Sequence, residues 1–286
     1  MIFEGACVSL VTPFNDKQEI DYFSLKNLIN FQIACGIKAI LFFSDTGEGF
    51  NLTKNEKMKI LKFCSCIIDK KIPVIAEIDT TNSKDLISSV HDYELAGSDA
   101  VLINIPAYTL SNFNTLISYF KNLVSCVSIP VILKIEKDVQ NDVILKLSML
   151  KEIAGFCFNS SKINIISELT QNKNFKKSIF LYDDNLSFAG FALGVNGIFS
   201  SLANCYPEIF SNLCNFGVNG DYSNAKRLYK YLLKANHALC LDIPSSTTKY
   251  YMNHIGLKVG STRVPLGTPN SYISKLIKEA INSYEN

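Results

Sequence analysis

The chain has 286 residues, of which 48% are hydrophobic and 19% are charged. This composition is typical of a globular protein with a sizeable core, and it excludes a disordered chain. The formal net charge of +2 is too small to indicate binding to nucleic acid or to a membrane surface, so neither partner is expected.

Apolar runs and helical patterns alternate along roughly the first 215 residues. Runs without polar alternation are typical of strands buried on both faces of a parallel sheet, and each is followed by apolar residues at helical spacing. Thr53 and Glu56 form a capping box that predicts the start of one helix. The predicted strands are residues 6–11, 39–43, 73–77, 100–103, 130–134, 153–157, 178–181 and 197–200.

Eight strand–helix units have the length of a closed (β/α)8 TIM barrel in the α/β class. An open doubly wound sheet is the alternative, and it is disfavoured because Thr12 and Pro13 stand where a glycine-rich phosphate turn would follow the first strand. The segment from Tyr222 onward predicts three more helices. We therefore expect a barrel domain at residues 1–215 and a C-terminal helical extension at residues 216–286 that packs on the barrel.

Polar residues follow the buried strands at the edge where such barrels place their chemistry. The most informative stretch is Ser44-Asp45-Thr46-Gly47-Glu48 after the second strand, although an ordinary solvated loop is the alternative. Asp183 and Asp184 after the seventh strand are candidates for the same face or for a helix cap. The other expected members of this face include Glu77, Lys134, Cys157 and residues 200–204.

Cysteines and histidines give no sign of a metal centre. The nine cysteines are odd in number and lie mostly in apolar segments, a pattern that indicates buried thiols in a reducing compartment and predicts a cytoplasmic protein. The three histidines, His91, His237 and His254, fall on predicted helices away from the active face. Neither a metal nor a cofactor is expected.

Several short motifs occur in one order along the chain. They are Thr12-Pro13-Phe14, Thr46-Gly47-Glu48, Pro106-x-Tyr108, residues 130–133, Asp183-Asp184, Gly194-x-x-Gly197-Ile198-x-Ser200, Asn204 and Pro207. With these motifs the chain resembles the dihydrodipicolinate synthase and N-acetylneuraminate lyase family of pyruvate-dependent class I aldolases. The resemblance implies a TIM barrel that assembles into a homo-oligomer, a dimer or a tetramer.

The resemblance also exposes a departure at the position that carries the family's chemistry. The family forms a Schiff base between pyruvate and a lysine at the end of the sixth strand, where this chain has Cys157. A thiol cannot form the iminium ion that makes the methyl group of pyruvate acidic. The family's arginine for a dicarboxylic substrate falls on Val139. The usual mechanism, and synthesis on such a substrate, are therefore not expected.

The family's proton-relay residues are also replaced in part. The relay tyrosine of strand five falls on Lys134 and the relay threonine or serine falls on Asp45, whereas Tyr108 matches the third relay member. Thr46 matches a residue that helps hold the pyruvate carboxylate. Ser44 and Phe199 are the other substrate-binding residues that the resemblance implies.

Two interpretations remain open for Lys134. An ion pair with Asp45 would keep the lysine protonated and non-nucleophilic. Alternatively, Lys134 is a relocated Schiff-base amine with Asp45 as its general base. Cys157 is either a small core residue or a thiol activated by Lys134. A slip of register that would bring Lys162 to the site is a further alternative.

The sequence thus predicts a diverged family barrel without standard Schiff-base aldolase activity that retains a cleft for a small carboxylate of the 2-oxo acid type. The alternative is an active lyase or aldolase on pyruvate or another 2-oxo acid, with Lys134 as the amine. Whether the chain is an enzyme is left open, because fold does not fix function.

Overall fold

The computed structural model describes residues 1–78, 82–105, 113–136 and 139–285. Its centre is a closed barrel of parallel strands in chain order, in which the first strand also pairs with the eighth. The predicted (β/α)8 barrel is therefore confirmed over the open sheet. The strands are β1 (Gly5–Ser9), β2 (Ala39–Phe42), β3 (Val74–Ile78), β4 (Ala100–Asn104), β5 (Val131–Ile135), β6 (Ile153–Phe158), β7 (Ser178–Leu181) and β8 (Gly197–Ser200).

Helices surround the barrel and continue beyond it. In chain order they are α1 (Tyr22–Ala34), α2 (Lys54–Ile68), α3 (Ser83–Leu95), α4 (Phe113–Ser125), α5 (Asn141–Ser148), α6 (Ile163–Gln171), α7 (Ser187–Ala192), α8 (Pro207–Val218), α9 (Tyr222–Leu239), α10 (Pro244–His254) and α11 (Ser271–Glu285). In the described part of the chain, no helix has the length and apolar character needed to cross a lipid bilayer.

Side-chain caps fix where several helices begin. Asp21 accepts a hydrogen bond from the backbone N–H of Ser24 at the start of α1. The predicted capping box of α2 is present, because the Thr53 hydroxyl accepts from the N–H of Glu56 while the Glu56 carboxylate accepts from the N–H of Thr53. Each cap satisfies N–H groups that the first helical turn leaves without partners.

The interior of the barrel is packed with side chains rather than open. Phe3 stacks on Phe180 with ring centroids 4.7 Å apart and meets Phe199 edge-on at 5.3 Å, near the amino ends of the strands. Cys7, Cys157 and smaller aliphatic residues complete this inner cluster. Because the inner cluster fills the barrel axis, a ligand site is expected at the carboxyl end, where such barrels place their chemistry.

The C-terminal segment is tied to the barrel by a buried ion pair. Nζ of Lys249, on α10, lies 2.6 Å from Oε1 of Glu48 in the loop after β2, and both side chains are almost fully buried. Lys249 also lies over the Phe14 ring, 4.1 Å from its centroid, after β1. The division into residues 1–215 and residues 216–286 stays a prediction, and this contact crosses it.

Candidate active site

The loop after β2 carries short polar side chains to the carboxyl end of the barrel. Phe43 and Glu48 adopt left-handed backbone conformations, with φ of 68° and 55°, which are uncommon for residues other than glycine. At Gly49 a Cβ would lie 1.8 Å from the carbonyl oxygen of Phe43, so only glycine fits there. This tight turn fixes the directions in which Ser44 and Thr46 point.

Hydroxyl groups gather beside this turn. Oγ1 of Thr46 and Oγ of Ser201 are 2.6 Å apart, and Oγ1 of Thr12 donates to the carbonyl oxygen of Gly47 at 2.6 Å. The buried hydroxyl of Ser44 has no hydrogen-bond partner among the described residues. Because one hydroxyl of the Thr46–Ser201 pair keeps a free O–H, at least two donors are available to an oxygen of a ligand.

The two aspartates after β7 have different partners, and one of them positions Ser201. Asp184 accepts hydrogen bonds from the backbone N–H groups of Ser201 and Leu202, both at 3.1 Å. Burial raises the pKa of Asp184 to about 6, although the hydrogen bonds oppose the rise. Asp183 accepts from the N–H of Asn185 and caps the short turn that follows. Asp183 is therefore a cap, which was one of the two interpretations of this pair. Asp184 links the loop after β7 to the loop after β8.

Lys134 points into the carboxyl end of the barrel, but its partner is not the predicted one. Its Nζ lies 2.9 Å from Oε1 of Glu77 on β3 and 3.3 Å from Oε1 of Glu136, with only 9% of the Lys134 side chain exposed. The same Nζ is 4.8 Å from the ring centroid of Tyr182. The predicted ion pair with Asp45 is wrong within the described residues, since Asp45 lies beyond the end of β2 and is exposed.

Strand register explains why Glu77 is the partner. Glu77 is level with Leu102 on β4, and Leu102 is level with Ile132 on β5. Lys134 is two residues beyond Ile132, so both charged side chains face the barrel axis in adjacent layers. The long side chain of Lys134 spans the distance between the two layers.

The electrostatics of this group keep the amine of Lys134 protonated. Burial would lower the pKa of Lys134, but the carboxylates of Glu77 and Glu136 outweigh it and raise the pKa above its ordinary value. The pKa of Glu77 is raised as well, chiefly by burial and further by Asp45 and Glu136, although Lys134 opposes the rise. A protonated amine has no lone pair with which to attack a carbonyl carbon.

Cys157 lies beside Lys134 as its register partner across β5 and β6. The residue is fully buried and belongs to the inner cluster of the barrel. Burial raises the pKa of the Cys157 thiol well above its ordinary value, and the Lys134 ammonium only partly opposes this effect. These features support a packed, protonated thiol rather than a reactive thiolate.

Two adjoining cavities open among these residues, and Asp45, Glu77 and Lys134 line both of them. Tyr108, the remaining predicted site residue, lies outside the described residues. Lys162 ends the short turn Ser160–Lys162 after β6 and is buried. The larger cavity, of about 200 Å³, is also lined by Phe43, Phe50, Asn104 and Glu136, and the smaller, of about 100 Å³, by residues that include Ser44, Thr46, Tyr182, Phe199 and Ser201.

Sequence reasoning placed Glu77 on the active face without assigning it a partner, and it did not identify Glu136, Tyr182 or Asn104. The available signal was the glutamate of the β3 strand Val-Ile-Ala-Glu-Ile, since an isolated carboxylate on a strand buried on both faces requires a partner. Glu136 and Tyr182 each follow directly after a strand, but that position alone does not show which way a side chain points.

Comparison with known proteins decides the family. The chain matches the dihydrodipicolinate synthetase family over residues 2–283. The chain is a member of the dihydrodipicolinate synthetase family. The resemblance seen in the sequence motifs is thereby confirmed.

Curated members of the dihydrodipicolinate synthetase family are similar to this chain over almost its whole length. The 4-hydroxy-tetrahydrodipicolinate synthase of Brachyspira hyodysenteriae is 30% identical over 289 residues, covering 99% of this chain and 98% of the relative. The enzyme of the same name from Wigglesworthia glossinidia brevipalpis is 30% identical over 290 residues, covering 98% and 96%.

Solved structures of dihydrodipicolinate synthases share the fold. The enzyme from Aquifex aeolicus has a TM-score of 0.91 at 26% identity and covers 99% of this chain and 98% of its own. The chloride-inhibited enzyme from Acinetobacter baumannii, complexed with pyruvate, has a TM-score of 0.93 at 24% identity and covers 100% and 99%. The barrel fold of the family is thus retained here.

Proposed function

We propose that this family member binds a small carboxylate of the 2-oxo acid type at the carboxyl end of its barrel, without forming the family's Schiff base. The hydroxyls of Ser44 and Thr46 and the ammonium of Lys134 line the smaller cavity, with Phe199 as an apolar wall. Hydroxyl and ammonium donors are the groups that carboxylate oxygens accept from. The ligand's short carbon chain would lie against the phenyl ring.

One observation carries the proposal. The only amine beside the expected Schiff-base position, within the described residues, is that of Lys134, and two carboxylates hold it as an ammonium. The residue at that position, Cys157, is a buried thiol. Recognition of a carboxylate needs the ammonium form, whereas imine formation needs the neutral amine, so the observed pairing favours binding.

The synthase reaction named for the relatives is not proposed for this chain. The resemblance places the family's arginine for the dicarboxylic substrate at position 139, where this chain has Val139, and that side chain is buried. A valine cannot form the bidentate contact that an arginine makes with a carboxylate. Two separate positions, Cys157 and Val139, therefore argue against that reaction.

Isothermal titration calorimetry with pyruvate tests the binding. We expect reversible binding, with the dissociation constant raised about tenfold in Ser44→Ala and in Thr46→Val, because each change removes a hydroxyl donor. Thr268→Val, at an exposed position outside both cavities, is the matched control and should bind as the unmodified chain does. Absence of any binding heat, or equal affinity in all four proteins, would contradict the proposal.

A second candidate function rests on the register of β5 and β6. Because Lys134 and Cys157 are level, the Lys134 amine emerges next to the place from which the family's lysine attacks. Glu77, in contact with that amine and with a raised pKa, is suited to accept and return a proton. A pyruvyl adduct on Lys134 after borohydride reduction would establish this relocated Schiff base.

Assembly and location extend the proposal by analogy with the family. We propose a cytoplasmic homo-oligomer, a dimer or a tetramer, because the family resemblance implies one and because the relay residue Tyr108 belongs in that resemblance to a subunit contact. Sedimentation equilibrium gives the test, and a monomer at micromolar concentration would contradict the proposal.

A further inference from the structure

The larger cavity has an excess of negative charge. Asp45, Glu77 and Glu136 contribute three carboxylates and Lys134 contributes one ammonium, so the lining carries a formal charge of −2 when all four groups are ionised. The ammonium is already shared between Glu77 and Glu136. A second carboxylate would be repelled from this cavity, whereas a positively charged group would be attracted.

Two buried acceptors in this cavity lack donors. Glu77 is only 5% exposed, and its Oε1 accepts from Lys134, but within the described ranges its Oε2 has no hydrogen-bond partner. Oδ1 of Asn104 is buried without a partner in the same part of the chain. An unsatisfied buried acceptor is costly, so a ligand that brings an N–H donor to these two oxygens would be stabilised.

We infer that the larger cavity is a subsite for an ammonium group, and that the ligand is an amino-bearing carboxylate. The inference rests on the proposed function, because the carboxylate end would occupy the neighbouring smaller cavity. Asp45, Glu77 and Lys134 line both spaces, so one short molecule can reach both. Glu136 and Asn104 line only the larger cavity, which is therefore the more acidic of the two and suits the ammonium. The hydroxyls of Ser44, Thr46 and Ser201 line only the smaller cavity and suit the carboxylate.

The donor chemistry favours an ammonium over a metal ion. No group of three or more His, Cys, Asp and Glu side chains in the described residues is arranged to hold a metal. A primary ammonium has three N–H donors, which matches the carboxylates of Glu77 and Asp45 and the amide oxygen of Asn104. The rings of Phe43 and Phe50 also line the cavity and offer apolar surface to the adjoining carbon chain.

The electrostatics of Glu77 also favour a cation beside it. Burial and the neighbouring carboxylates of Asp45 and Glu136 raise its pKa even though Lys134 is in contact. An ammonium at Oε2 would stabilise the ionised form of Glu77 and donate a hydrogen bond to that oxygen. Its positive charge would also offset the carboxylates gathered around Glu77.

Paired probes test the inference by calorimetry at low ionic strength. The amino acids 3-aminopropionate, 4-aminobutyrate and 5-aminopentanoate are compared with propionate, butyrate and pentanoate, and butylamine serves as an amine without a carboxylate. We expect at least one amino acid to bind about tenfold tighter than its matched acid, since charge-assisted hydrogen bonds are strong. The preference should shrink as salt is added.

Variants of lining residues test whether the preference for the amino acid arises in the larger cavity. In Asp45→Asn and in Asn104→Leu, we expect the preference for the amino acid to fall below about threefold. Asn104 lines only the larger cavity, so in Asn104→Leu the affinity for the matched acid should be unchanged. Glu279→Gln, at an exposed helix pair with Lys275, is the charge-matched control and should keep the full preference. A preference that survives both site variants would overturn the inference.

The outcomes separate this inference from the proposed function. If amino acids and matched acids bind equally well, the ammonium subsite is overturned and the carboxylate cleft stands. If butylamine binds but no carboxylate does, the subsite is supported and the proposed function fails. If none of the probes binds, both are overturned.

Discussion

Lys134 and Glu77 form a buried pair whose presence is not explained by stability alone. Both side chains are more than nine-tenths buried. Moving two charges out of water costs several kcal/mol, and apolar residues of similar size are often as good or better in such positions. Retention of charged groups at the carboxyl end of a barrel is instead typical of ligand binding.

Removing only the positive partner should be costly. In Lys134→Met, Glu77 loses the ammonium that its Oε1 contacts, and we expect the free energy of unfolding to fall by about 3 kcal/mol at pH 7. Urea denaturation measures this change. The double variant Lys134→Met/Glu77→Gln, which leaves no buried charge at this pair, should recover part of the loss.

The pH dependence of the same variant has a definite sign. Without Lys134, burial raises the folded-state pKa of Glu77 further above its ordinary value of 4.5. A carboxyl group with a raised folded pKa loses stability as the pH rises above its unfolded value. The deficit of Lys134→Met should therefore grow from pH 5 to pH 8, and a deficit independent of pH would contradict the assignment.

At the scale of elements, the loop after β2 is held by contacts with α10 and with the segment that follows α10. The Glu48 carboxylate contacts Lys249 of α10 through Oε1 and accepts from the backbone N–H of Arg263 through Oε2 at 2.9 Å. The Arg263 guanidinium forms a fork with Glu56 at the start of α2, with N–O distances of 2.8 and 3.1 Å. These contacts join the C-terminal extension to the loop that presents Ser44 and Thr46.

The Glu56–Arg263 contact predicts a loss of stability in acid. The hydrogen bond from Arg263 lowers the pKa of Glu56 to about 2. Because the folded pKa lies below the unfolded one, the contribution is present above about pH 4.5 and disappears as the pH falls toward 2. We expect Glu56→Gln, which keeps the capping hydrogen bonds, to lose about 1 kcal/mol at pH 7, a modest value because the pair is partly exposed.

Chemical denaturation at pH 7 and pH 3 checks this expectation. The difference between the unmodified chain and Glu56→Gln should be smaller at pH 3. Glu279→Gln, in a pair that is mostly exposed, should show little change at either pH. If the difference in free energy of unfolding were larger at pH 3 than at pH 7, Arg263 would not act through the charge of Glu56.

At the scale of the whole molecule, periodicity predicted the architecture well. Apolar runs buried on both faces, such as residues 39–43, and the capping box at Thr53 each indicated an element that the structure contains. The motifs placed in order along eight strands indicated the family, which the comparison confirms. Local patterns sufficed because every strand–helix unit has the same pattern, an apolar run followed by apolar residues at helical spacing.

The partners within the site could not be predicted in the same way. Lys134 was expected at the site, but its contact with Glu77 depends on the register of three strands around the barrel. The Glu48–Lys249 pair joins residues far apart in the chain, and neither segment shows the contact by itself. Such pairings are set by tertiary packing, which spacing along a sequence does not encode.

The central claim is that no lysine of this barrel forms an imine with pyruvate, and borohydride reduction followed by mass spectrometry tests it most directly. A class I aldolase that forms a Schiff base through its lysine provides the positive control. We predict no mass increase of the intact chain under conditions that label the control completely. A pyruvyl adduct mapped to Lys134, to Lys162 or to any other lysine in the cleft would contradict the account.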